Sequence, residues 1–68
     1  MPDLIESQHE EDRALVLEVL SDGAQSETEI AVSAGISLSA TNRALGALAV
    51  NGRVTRTYDN GTYIWSRT

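Results

Sequence analysis

The 68-residue chain contains no cysteine, no lysine and no phenylalanine, and only one proline, one tryptophan and one histidine. Without cysteine, neither a disulfide framework nor a thiolate zinc site can supplement the core. His9 has no second histidine with which to share a metal, so neither a metal nor another cofactor is expected. No stretch approaches the roughly 18 apolar residues of a membrane span. The opening Met1-Pro2-Asp3-Leu4-Ile5-Glu6 lacks the basic region and long apolar segment of a signal peptide. The expectation is a soluble, cytoplasmic protein. A chain of this length makes one small domain, residues 1–68, with a thin hydrophobic core and no room for a deep cleft or a ligand-sensing domain. Its carboxylates are spread over capping positions and solvated faces. No nucleophile stands with its base and no glycine loop could cradle a phosphate, so an enzyme is not expected.

What is present is unevenly distributed. The formal net charge of −5 opposes binding to a polyanion, because arginine and lysine contacts to phosphate normally dominate such affinity. Nine of the ten acids (Asp3, Glu6, Glu10, Glu11, Asp12, Glu18, Asp22, Glu27, Glu29) precede Ile30. Four of the five arginines (Arg43, Arg53, Arg56, Arg67) follow it, with only Asp59 against them. The split predicts one face offered to an anion and another turned away from it.

Local signals divide the chain into elements. Residues 1–6 read as an N-terminal arm, ended by a capping box at Ser7-Gln8-His9-Glu10. A first helix over residues 7–22 then carries Leu15, Val16, Val19 and Leu20 on its stripe, with Leu17 off it, and stops at Asp22-Gly23. Glu10, Glu11 and Asp12 fall in its first turns, where acids favour the helix dipole. A second box, Ser26-Glu27-Thr28-Glu29, opens a short helix with Ile30, Ala31 and Ala34 inward. In Gly35-Ile36-Ser37 the glycine ends that helix, the isoleucine seals the end and the serine caps the next one. That next helix runs from about Leu38 to Asn51 with Thr41, Ala44, Leu45 and Leu48 inward, and Gly52 closes it. Two helices joined so tightly are a helix-turn-helix, over residues 26–51. Alternating β-formers on either side of Asp59-Asn60-Gly61 make residues 53–67 a hairpin, or wing. The fold class is thus α+β: a small winged helix-turn-helix of three helices followed by a two-stranded wing.

In a helix-turn-helix the second helix enters the major groove. Its early outward side chains are Ser39, Asn42 and Arg43, with the capping Ser37 beside them and Gly46 further along the same face. Asparagine can pair in bidentate fashion with adenine, and arginine with guanine, each worth about 1–3 kcal/mol of discrimination. Arg53, Arg56 and Arg67 bracket the wing and are candidates for contacts to phosphates or to a minor groove. Strand alternation puts Arg56 opposite Thr55 and Thr57. Tyr58 and Tyr63 read as a cross-strand pair, Trp65 as a core plug, and His9 as a surface residue.

Over residues 26–65 the sequence resembles the winged helix-turn-helix superfamily of bacterial and archaeal transcription regulators. The similarity lies in TEIAVSAGIS, SATNRALGALAVNGRV and TRTYDNGTYIW. It implies a sequence-specific regulator of double-stranded DNA, commonly a dimer on a two-fold operator. The arm around Leu4 and Ile5, together with the first helix, is the expected homodimer surface. A narrower stretch, NRALGALAVNGRV followed by Ile64-Trp65, looks like Z-DNA-binding domains and would put Asn42, Arg43 and Trp65 on the phosphate backbone. Gly46 stands there in place of a tyrosine and Thr62-Tyr63 in place of a proline pair. The alternative from another class is a winged helix that binds protein, to which the acidity and the alanine-rich third helix also fit.

Overall fold

The computed structural model describes residues 4–68, with side chains from Glu6 onward. The elements run α1 (Leu4–Leu20), β1 (Gln25–Ser26), α2 (Glu27–Ala34), α3 (Leu38–Val50), β2 (Val54–Asp59) and β3 (Thr62–Arg67).

Helix α1 begins at Leu4, so the helix start expected at Ser7 is corrected and Leu4–Glu6 are helix rather than arm, while the rest of the expected arm, residues 1–3, lies outside the described residues. Leu, Ile, Glu and Gln are adequate helix formers, and each residue added to an existing helix gains a hydrogen bond. The serine signal at Ser7 is absorbed inside the helix as an exposed position. Glu6, rather than Glu10, Glu11 or Asp12, is therefore the acid of the first turn. The helix stops at Leu20, two residues before the expected end, in a turn where Ser21 N–H reaches the Leu17 and Glu18 carbonyls. Its inward stripe is Val16 and Leu20. Leu17 packs against the core beside Val19, contrary to the expected phase, while Leu15 lines an outer groove with α2.

The α2–α3 junction follows the sequence. Ser26 caps α2 with a reciprocal box: its Oγ accepts from Glu29 N–H at 3.3 Å, and Glu29 Oε1 accepts from Ser26 N–H at 3.0 Å. At the other end Gly35 sits at φ +71°, which a side chain disfavours. That conformation lets Ile36 N–H reach the Ala31 carbonyl at 3.2 Å and Gly35 N–H the Val32 carbonyl at 3.3 Å, the paired closure of a Schellman motif. Ser37 then caps α3, its Oγ accepting from Ala40 N–H at 3.0 Å. Thr41 is fully buried, and its hydroxyl donates to the Ser37 carbonyl at 2.9 Å. The same double closure ends α3, with Arg53 N–H on the Leu48 carbonyl and Gly52 N–H on Ala49.

Strands β2 and β3 pair antiparallel from Val54↔Arg67 to Asp59↔Thr62. The connecting Asn60-Gly61 takes positive φ at both residues, 49° and 80°, as a two-residue hairpin of this hand requires. The sheet has a third strand that the sequence reading lacked. β1 pairs with β3 through Gln25↔Trp65 and Ser26↔Ile64, giving the order β1-β3-β2. One sheet face carries Val54, Arg56 and Tyr58 with Arg67, Trp65 and Tyr63 opposite them. Val54 and Trp65 are buried there with Val16, Leu20, Ile30, Ala44, Leu45 and Leu48. Burying an aliphatic side chain of this size contributes roughly 1.5–3 kcal/mol, so a core this small leaves a thin margin.

Candidate nucleic-acid interface

The inward positions of α3 are those the spacing predicts: Thr41, Ala44, Leu45 and Leu48 are buried. That fixes the opposite face. Ser39, Asn42, Arg43 and Gly46 are all exposed, and Leu38, Ala49 and Val50 are exposed with them. α3 contains no acid. Among the described residues no hydrogen bond or ion pair engages the side chains of Ser39, Asn42 or Arg43. Spacings of three and four residues keep these side chains on neighbouring positions of one helix surface. Ser37 differs from them, because its hydroxyl oxygen is committed to the helix cap.

The wing arginines are in three different situations. Arg53 is exposed, and its backbone is pinned at both ends: its N–H bonds to the Leu48 carbonyl at 2.9 Å and its carbonyl accepts from Thr68 N–H at 3.1 Å. Its side chain is therefore carried on a fixed stem. Arg56 lies across the hairpin from Trp65, with its guanidinium 4.1 Å from the centre of the Tyr63 ring and 5.6 Å from that of Trp65. The stack orders a side chain that sequence alone leaves free. Tyr58 meets Tyr63 edge-on at 5.1 Å, as the cross-strand pairing predicts. Arg67 Nη1 donates to Ser21 Oγ at 2.7 Å and so ties the end of β3 to the turn after α1. Arg67 is a clasp in this structure rather than a free cation.

Trp65 is the core plug expected, at 7% exposure, and its indole Nε1 is buried without a protein acceptor among the described residues. A nitrogen so enclosed cannot reach a phosphate, so the role implied for Trp65 by the narrower resemblance to Z-DNA-binding domains does not carry over.

A group that the sequence reading missed borders Arg43. His9, Asp12 and Arg13 of α1 line a cleft of about 180 Å³ with Ala40, Arg43, Ala44 and Ala47 of α3. Asp12 is 4% exposed and accepts from Gln8 Nε2 at 3.1 Å. Arg13 is paired with Glu6 at 3.4 Å. His9 is half-buried, not a surface residue. The signal was present in the spacing of His9, Asp12, Arg13 and Val16, one helix face, but three polar residues do not read as an inward stripe. Among the described residues no group of three or more His, Cys, Asp or Glu is placed to hold a metal, and no helix is long and apolar enough to cross a membrane.

No protein-family model matches the chain, and no curated protein matches it in sequence. Among solved structures it is similar to the homodimeric winged helix-turn-helix DNA-binding domain of Mb0332 from Mycobacterium bovis, a possible ArsR-family transcriptional regulator. The TM-score is 0.76 at 23% identity, over 82% of this chain and 52% of that one. The chain thus spans about half the length of that domain. Helix order, the capped α2–α3 turn, the hairpin after α3 and this likeness agree: in architecture the chain is a winged helix-turn-helix domain.

Proposed function

We propose that this chain is a sequence-specific DNA-binding transcriptional regulator, with α3 in the major groove and the wing on the phosphate backbone. The observation that carries the proposal is the outer face of α3. It offers Asn42, Arg43 and Ser39 exposed, without side-chain partners among the described residues and without a neighbouring acid on the same helix. The structural neighbour is a DNA-binding domain and a homodimer, which supports the same reading and a second copy as partner. The proposed homodimer surface is α1 with its first turn around Leu4 and Ile5. The chain acts by binding, not by catalysis, and in the compartment that holds the DNA.

The alternative function is a winged-helix protein–protein interaction module. A groove between α1 and α2 favours it, lined by Leu15, Val19 and Ala34 and edged by Glu18 and Asp22. Fluorescence anisotropy of a labelled random duplex pool at low and moderate salt separates the two. A DNA reader loses affinity steeply as salt rises. It also weakens on Arg43→Ala and Arg53→Ala, with base preference relaxed only by the first. Absence of binding at micromolar protein, with helicity intact by circular dichroism, leaves the protein-docking reading.

A further inference from the structure

We infer that Leu38 is a specificity residue that reads a thymine methyl group in the major groove, next to the adenine taken by Asn42. The inference rests on the proposed DNA-reading role of α3. Leu38 is the first residue of α3, directly after the Ser37 cap, and is 53% exposed. It belongs neither to the core cluster nor to the apolar side chains packed against it. The cap it follows is made by the Ser37 hydroxyl and by Thr41, so the helix start needs no apolar side chain at this position. A lone exposed leucine is unremarkable on a surface. Its neighbours give it meaning, because residues four apart stack on one helix face and the residue four after Leu38 is Asn42.

The groove chemistry is complementary. Adenine offers N6 and N7 to a bidentate amide, and its partner thymine places a C5 methyl in the same groove, where only an apolar side chain makes favourable contact. Four residues advance a helix by about 6 Å, while successive base pairs are about 3.4 Å apart, so Leu38 falls one or two base pairs from the adenine under Asn42. The rest of the exposed face is short of hydrogen-bonding groups: beyond Ser39, Asn42 and Arg43 it is Gly46, Ala49 and Val50. Apolar contact to methyl groups is the reading such a face does best.

The experiment starts from duplexes selected by the wild-type chain from a random pool. In the best of them each thymine within two base pairs of the Asn42-dependent adenine is replaced singly by deoxyuridine, which removes the methyl and nothing else. Wild-type protein is expected to lose about fourfold at one of these positions, the worth of one methyl group removed from water. Leu38→Ala should bind the thymine duplex about fourfold more weakly and be indifferent to the replacement, whereas Leu38→Met should restore the sensitivity. If wild type is indifferent at every position while Asn42→Ala still weakens binding and relaxes the adenine preference, the Leu38 inference is overturned and DNA reading stands. If no sequence is enriched at all, the base-reading role of α3 fails and the Leu38 inference with it.

Discussion

Single side chains here are set by what they hydrogen-bond, and Glu29 is the clearest case. Its carboxyl is held below the usual 4.5, first by the hydrogen bond from the Ser26 backbone N–H, then by the Ser26 hydroxyl, against a small opposing effect of desolvation. A carboxylate with a lowered value in the fold adds stability that is fully present above its unfolded value. That stability is lost as pH falls through the folded value. Glu29→Gln keeps the shape and removes the charge. Its thermal midpoint should therefore lie below that of the parent at pH 7, and the gap should close as pH falls below the ordinary value of 4.5 and through the lowered folded value. A gap independent of pH would mean that charge plays no part in the cap. Arg56 shows the limit of reading residues from sequence. Alternation puts it opposite Thr55 and Thr57, but which sheet face meets the core depends on the pairing Arg56↔Trp65, a contact between strands. The stack on Tyr63 follows from that register and from nothing local.

Whether an element was readable in the sequence tracks the range of the interactions that define it. The α2–α3 junction was legible because capping boxes and glycine closures act over three to five residues. Gly35, Ile36 and Ser37 close one helix and cap the next with hydrogen bonds that span three to five residues. The start of α1 was not legible, since a capping serine costs little inside a helix that continues past it. β1 was invisible for the opposite reason: two residues become a strand only because β3, some forty positions later, lies beside them. Within α3 one residue is still unexplained by the fold. A Cβ built on Gly46 meets nothing within 4 Å, so alanine there fits without strain. Helix propensity then predicts that Gly46→Ala stabilises the domain by about 1 kcal/mol, a rise of roughly 4–8 °C in Tm for a domain of this size. The same methyl would stand between α3 and the groove floor, so DNA affinity should fall while stability rises. Higher stability with unchanged affinity would remove Gly46 from the closest approach.

At the scale of the molecule, the acids and the proposed reading surface are segregated along the chain. α1, its following turn and α2 carry the described acids other than Asp59, while α3, the turn after it and the strands carry Arg43, Arg53, Arg56 and Arg67. A protein of net charge −5 is repelled by DNA at long range, and its orientation on approach is set by this dipole. The charge split was legible in the sequence. How many cations act together was not, because Arg67 is drawn to Ser21 and Arg56 to Tyr63 by tertiary contacts. Even counting the clasped Arg67, and with Arg13 paired to Glu6, one protomer brings at most four arginines to phosphate, which limits the slope of log K against log salt to about −3.6, and two protomers to about −7. The proposed homodimer therefore makes a measurable claim. On a selected duplex with two half-sites spaced 10–10.5 base pairs apart, the expected slope is steeper than about −4. Cutting the duplex to one half-site should return it to the single-protomer range and cost far more affinity than halving the contacts. A slope shallower than about −3.6 on both duplexes, with one chain bound per duplex by sedimentation, would show a monomeric reader and remove α1 from the role of dimer surface.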